Sequence, residues 1–354
     1  MDDLSRQVID YAIGDGACVA GICTTETLAG GPPSTDLSYV LPGAKSAISF
    51  AMPLDQNLIP AYLAKKDRRS HELDNLHTNA RATGLGAHLA NYLSMKGYPS
   101  APVLANEVYR QDTPRGVLDM YPDLSLRYLA VRSGVGSFGL SGNVHTRKEG
   151  AAVILGATVT TAALEPTAPI PDDENYCDRC KLCMSSCASK LMDEKEKTHV
   201  TMAGVEFSYS KRRTYHRCDL VCGGFTGLHP SGKWSNWSPG RLSIPDKDED
   251  FLPVLIEAMG AWAKRPPIPG GHYHPLMEGK LALTCGNCQL ICHPDRQERK
   301  RRYKMLRNSG VVIQHTDGSL EAVSPDEARR RLDAMTPERR ALYEKPDPPL
   351  AASA

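Results

Sequence analysis

The sequence predicts an α+β protein of two parts, an α/β first half and a second half organised around bound metal. Three observations carry that class. A long helical pattern between strand-like apolar runs occupies residues 1–170. A proline-marked stretch from Leu164 to Pro171 then breaks the pattern. Beyond it, residues 172–295 hold nine of the eleven cysteines and all three tryptophans.

Leu4 to Ala12 predicts an opening helix, and Ala47 to Met52 has the unbroken apolar bias of a buried strand. From Arg68 to Lys96 apolar residues recur at helical intervals through Leu73, Leu76, Ala80, Leu85, Leu89 and Leu93, and Gly97 supplies the stop. This helix is expected to lie on a sheet. Ala101–Val108 and Ala151–Thr161 are the next strands, the second apolar enough to be buried on both faces. Arg127–Arg132 reads as a short helical or bridging piece before a glycine-rich turn. A boundary near 170 follows from Pro166, Pro169 and Pro171. From Arg296 the pattern gives a charged helix, a hairpin near Gly310–Val323 and a polar helix.

Composition narrows the function classes. With 354 residues, 41% hydrophobic and 23% charged, the chain is neither a disulfide-stapled miniprotein nor disordered. A net charge of +1 does not fit a strongly electrostatic nucleic-acid binder. The longest nearly uncharged stretch, Ala151–Leu164, falls short of the roughly 20 residues of a bilayer span, so no membrane crossing is expected. Met1-Asp2-Asp3-Leu4-Ser5-Arg6 lacks a basic segment followed by an apolar run, which predicts cytoplasmic residence.

Cysteine spacing is the sharpest signal. Cys177, Cys180, Cys183 and Cys187 form CxxCxxCxxxC, the bacterial ferredoxin spacing, in which the fourth thiolate serves a second cluster. Cys285, Cys288 and Cys292 then form CxxCxxxC. Two 4Fe-4S clusters need eight thiolates and these motifs supply seven, so the eighth is Cys218 or Cys222. The allocation expected is Cys177, Cys180, Cys183 and Cys292 on one cluster, with Cys187, Cys218, Cys285 and Cys288 on the other. Cys18 and Cys23 are spare. Structural zinc is the competing reading, but zinc modules rarely run three cysteines at two-residue gaps and a fourth at three. Alanine, not proline, follows Cys187, a departure from the ferredoxin pattern.

Leu41-Pro42-Gly43-Ala44-Lys45-Ser46, the run Arg127–Ser137, Gly139 and the order of the two cysteine groups resemble the cobalamin-dependent epoxyqueuosine reductases and the related reductive dehalogenases. The likeness covers roughly residues 10–300. It implies a nitroreductase-like cobalamin-binding domain over 1–170 and a ferredoxin-like domain over 171–300. An aromatic insert at about 223–280 and a C-terminal extension over 301–354 complete the chain. It implies that Gly134, Gly136, Gly139 and Gly142, with Gly150 as a weaker member, bring backbone close to the corrinoid; an ordinary strand connection is the plainer reading. Arg217-Cys218 matches an Arg-Cys pair of the family and favours Cys218 over Cys222.

Reductive cleavage needs a proton donor. The family's Asp-x-x-Pro segment corresponds to Asp119-Met120-Tyr121-Pro122, which makes Asp119 the expected donor with Tyr121 and Asp123 as rivals. Leu140 stands where relatives commonly carry Lys or Arg. In the insert, Trp234, Trp237 and Trp262, with His229, His272, Tyr273 and His274, suggest an apolar lid over a pocket; packing of the insert's own core is the duller alternative. The basic run from Arg296 to Arg307 offers phosphate contacts, although a solvated helix face explains it better.

The function expected is a cobalamin- and iron-sulfur-dependent reductase of a small organic substrate, fed by an external ferredoxin- or flavodoxin-type donor. Alternatives are an epoxyqueuosine reductase acting on modified tRNA and a two-cluster electron carrier without corrinoid.

Overall fold

A computed structural model describes residues 1–104, 108–270 and 282–345 of the chain. Helix α1 (Asp3–Gly14) is capped by Asp2, whose carboxylate accepts from the Ser5 amide at 2.7 Å. It leads into β1 (Val19–Thr24) and β2 (Ser46–Pro53). Short helix α2 (Ile59–Leu63) precedes the long α3 (Arg69–Met95), and Gly97 at φ 89° ends α3 as its sequence predicts. Strand β3 covers Ser100–Val103, and residues 105–107 of the expected strand lie outside the described residues.

Next come α4 (Leu126–Arg132), the small hairpin β4 (Ser137–Phe138) and β5 (Val144–His145), and β6 (Val153–Thr160). The main sheet runs β1-β2-β6-β3 with every neighbouring pair antiparallel. Helix α3 lies on it: Gly86 brings the helix so near β6 that a Cβ there would stand 3.2 Å from the Ala157 carbonyl. Leu85, Leu89 and Leu93 are buried beneath α3. Each contributes roughly 1.5–3 kcal/mol by leaving water.

The second half begins with α5 (Leu182–Ser185) and a long hairpin, β7 (Met192–Met202) and β8 (Val205–Arg212), which the sequence reading did not find. Its strands are rich in charge, so the alternation that marks a strand is masked; only Phe207, Tyr209 and their neighbours carry apolar weight. Helices α6 (His216–Cys222), α7 (Phe251–Trp262), α8 (Asn287–Leu290) and α9 (Arg296–Arg307) follow, then β9 (Val311–Gln314), β10 (Leu320–Val323) and α10 (Pro325–Asp333).

One apolar cluster runs from Val8 in α1 to Val312 in β9 and includes Trp234 and Trp237. The Trp237 indole donates to the Tyr62 carbonyl at 3.1 Å. These two tryptophans therefore pack the core and do not form a lid. Trp262 meets Phe225 edge-on at 5.9 Å between centroids. His272, Tyr273 and His274 lie outside the described residues.

Candidate metal centre

The segments that carry the thiols are pinned to the first half by named contacts. Buried Glu72 of α3 pairs with Arg68 and Arg69 and accepts from the Leu283 amide at 2.9 Å. The Tyr62 hydroxyl donates to the Cys285 carbonyl at 3.0 Å. Gly150, at φ 65°, passes so close to the Cys292 carbonyl that no Cβ fits, and the Ala151 amide donates to that carbonyl at 3.0 Å. Arg302 of α9, 2% exposed, donates to the Leu290 carbonyl at 2.8 Å and to Gln56 at 2.8 Å.

The thiols fall into two groups. Burial pushes Cys183 up to about 12, and Cys288, Cys292, Cys177 and Cys180 add repulsion. Burial likewise raises Cys292 to about 11, with Cys177 and Cys180 as repelling neighbours. In the second group burial raises Cys285 to about 12 and Cys288 to about 11, and each is repelled by Cys187 and Cys218. Cys187 is raised by burial and feels Cys218. The thiols of both motifs and Cys218 thus lie near enough to act on one another, with Cys288 the strongest charge on Cys183.

Cys218 is held well above the ordinary thiol range first by a hydrogen bond with Cys222, then by that thiol's charge and by burial. The two cysteines sit one turn apart on α6, and Cys218 is the one coupled to Cys285 and Cys288. Cys23 is fully buried and Cys18 donates to the Ala51 carbonyl at 3.3 Å, both within the α/β half.

Several features fit iron-sulfur clusters. The eight cysteines are half-buried residues. Donors point at the sulfurs: the Leu140 amide at Cys177 Sγ (3.3 Å), the Leu191 amide at Cys187 Sγ (3.3 Å) and Asn143 Nδ2 at Cys288 Sγ (3.6 Å). Such hydrogen bonds are among the levers on cluster potential. Beside the first group, His145 Nε2 and Arg299 Nε are buried without a partner. Tyr176 packs against His145 at 4.0 Å between centroids with the rings tilted by 43°, and touches Cys292 Sγ through its hydroxyl at 3.5 Å. Orphaned donors at this depth are costly unless a bound group accepts from them.

A single zinc ion fits less well. Bonds of about 2.3 Å to four sulfurs require sulfurs about 3.8 Å apart. Among the described residues no three His, Cys, Asp or Glu side chains converge tightly enough to hold one metal ion. A four-iron cube holds its thiolates farther apart.

The glycine turn tells a different story. A Cβ on Gly142 would lie 2.6 Å from the Tyr209 ring, and one on Gly136 would lie 2.5 Å from Val144. Gly134, at φ 73°, abuts the Ala168 carbonyl, and Gly139 faces His145. Strand β8 clamps the turn: Ser210 N donates to the Leu140 carbonyl at 2.9 Å, Arg212 Nε to the Ser141 carbonyl at 3.0 Å, and Tyr209 packs on Phe138 at 4.7 Å. The amides of Gly134, Gly136, Gly139 and Gly142 all donate to carbonyls of the chain itself. Along their Cβ directions the four glycines therefore approach protein.

The proton-donor candidates differ in environment. The Arg115 amide and guanidinium, at 3.0 and 2.7 Å, hold the Asp119 carboxyl below the usual carboxylate range, which suits a group that keeps its charge. The Tyr121 hydroxyl accepts from the Ser34 amide at 3.3 Å. Burial raises Asp123 above the ordinary range, opposed by the Leu124 amide at 2.6 Å. In the basic run, Arg299 and Arg302 turn inward and Arg301 pairs with Glu298 at 2.5 Å, so the helix presents a much thinner basic face than its sequence implies.

No family model matches the chain, and no curated protein matches it. Solved structures similar in part include an epoxyqueuosine reductase with a tRNA-Tyr epoxyqueuosine-modified stem loop, 18% identical over 64% of this chain and 59% of that one, TM-score 0.39. An epoxyqueuosine reductase from Streptococcus thermophilus is 15% identical over 57% of this chain and 56% of its own, TM-score 0.39. A reductive dehalogenase described for B12-dependent dehalogenation is 12% identical over 61% of this chain and 28% of its own, TM-score 0.46. These are the two groups that the sequence resembles. The chain spans 59% or less of each structure's length.

Proposed function

We propose that the chain is an iron-sulfur oxidoreductase that holds two 4Fe-4S clusters and passes single electrons from a ferredoxin- or flavodoxin-type donor to a small organic acceptor. The observation that supports this reading is that thiols of both cysteine motifs, with Cys218, lie near enough to act on one another. The clusters would supply one-electron reduction; Cys177, Cys180, Cys183 and Cys292 would hold one, and Cys187, Cys218, Cys285 and Cys288 the other.

A cavity of about 800 Å³ lies against Ala188 and Ser189, directly after Cys187, and is lined by both charge signs, including Asp193, Arg213, Arg217 and Arg241. Its size suits a small molecule. This favours a small acceptor over a tRNA, as does the inward turn of Arg299 and Arg302. The cobalamin step implied by the resemblance is not part of this reading, because along their Cβ directions the four glycines approach protein.

Anaerobic purification followed by iron, sulfide, zinc and corrinoid analysis tests the proposal. Two four-iron clusters without corrinoid are expected. A stoichiometric corrinoid would restore the cobalamin-dependent reductase, and zinc in place of iron would end both readings. Binding of tRNA at low salt would reopen the modified-base substrate.

A further inference from the structure

The two thiol groups differ in the charge that surrounds them. Lys65, 8% exposed, donates its Nζ to Ser309 Oγ at 2.6 Å and faces Cys285 electrostatically. Arg212 donates to the Ser141 carbonyl at 3.0 Å, the Tyr215 hydroxyl at 3.2 Å and Asn143 Oδ1 at 2.6 Å, and its charge acts on both Cys288 and Cys218. Arg127 reaches the same Tyr215 hydroxyl at 3.0 Å and the Gly142 carbonyl at 2.9 Å. Lys65 is buried and Arg127 and Arg212 are half-buried; among the described residues none of the three has a carboxylate partner, while the Asp219 carboxylate acts on Cys218 from the other side of the charge balance. At the first thiol group the buried cation is Arg299, and it does have one: Asp178 stands 3.1 Å away.

A cation shielded from water with no counter-charge is costly, so chains seldom carry several in one place unless an anion joins them. Four thiolates around an oxidised four-iron core carry two net negative charges, and three once the core accepts an electron. Burial alone would disfavour the added charge; nearby cations favour it.

We propose, on the basis of the two-cluster reading above, that Lys65 and Arg212, with Arg127 behind Tyr215, are the counter-charges of the second thiol site and set its reduction potential above that of the first. The added electron comes from the low-potential donor, one per cluster. These side chains are positioning residues for charge; they ligate nothing. Sequence spacing does not reveal them, since Lys65 and Arg212 stand far from the cysteine motifs in the chain.

The test is a redox titration of the full-length, anaerobically purified protein followed by electron paramagnetic resonance, with the two signals assigned through Cys183→Ser and Cys187→Ser. Lys65→Met and Arg212→Gln should each lower the reduction equilibrium of the second site at least tenfold, a fall of about 59 mV for one electron. Lys65→Arg and Arg212→Lys, which keep the charge, should change it less than threefold, as should the exposed control Lys211→Gln. If Arg212→Gln does not assemble the second cluster, the Lys65 pair decides. Neutral variants within threefold of the parent, or an equal shift at both sites, would overturn the inference. A parent protein lacking two iron-sulfur signals would instead defeat the two-cluster reading itself.

Discussion

The glycine turn at 134–142 and the thiol-lined space beside it were both expected to hold a cofactor, yet the chain treats them in opposite ways. At the turn every Cβ direction meets protein, the glycine amides are satisfied, and β8 seals the face with Tyr209 and Ser210. Around the thiols, buried donors stand without partners and cations stand without anions. A space kept for a bound group shows itself through unmet demands, while one filled by the fold shows none. Glycine in a tight turn is ambiguous for this reason: it permits close approach but does not say of what.

The contrast breaks most sharply at the cysteines. Cys285→Ala should cost the protein one whole cluster, about half its iron, by anaerobic iron and sulfide analysis, whereas Cys222→Ala should keep the full complement. Equal losses would make Cys222, not Cys218, the eighth ligand.

A second comparison concerns the turn. Gly142→Val places a branched side chain at φ 73° against the Tyr209 ring. Backbone strain and overpacking together predict a loss of about 3 kcal/mol or more in urea unfolding, the same with or without added cobalamin. A variant as stable as its parent would mean the face is open.

Smaller is the pH response of Lys65 in iron-free protein. Burial pushes its amine down to about 7 from an ordinary 10.5. Between those values the unfolded chain binds more protons than the folded one, so stability should rise with pH across that window and stay flat outside it for this group. Lys65→Met should remove the slope in denaturant titrations at pH 7 to 10; an unchanged slope would assign it to other groups. Smallest of all, Asp119→Asn should leave iron content and both reduction potentials unchanged, because that carboxylate answers to Arg115 and touches no thiol.

Much of this was legible in the sequence. The periodicity from Leu73 to Leu93 and the stop at Gly97 marked α3, because a helix face is a local pattern. What stayed hidden was non-local. The hairpin of β7 and β8 is too charged to show alternation, so its seal over the glycine turn was invisible. Arg299 and Arg302 look like surface charge in a basic run, and their burial depends on Asp178, Leu290 and Gln56, which lie elsewhere in the chain. The apolar weight of Trp234 and Trp237 was evident, but its direction was not; Tyr62 and its neighbours claim both rings for the core.

The central claim is that eight thiols form two four-thiolate cages. Mössbauer spectroscopy of anaerobically purified, iron-57-enriched protein with parallel sulfide analysis tests it most directly. The account predicts about eight iron and eight sulfide per chain, all in four-iron clusters. One cluster only, or zinc in either cage, would contradict it.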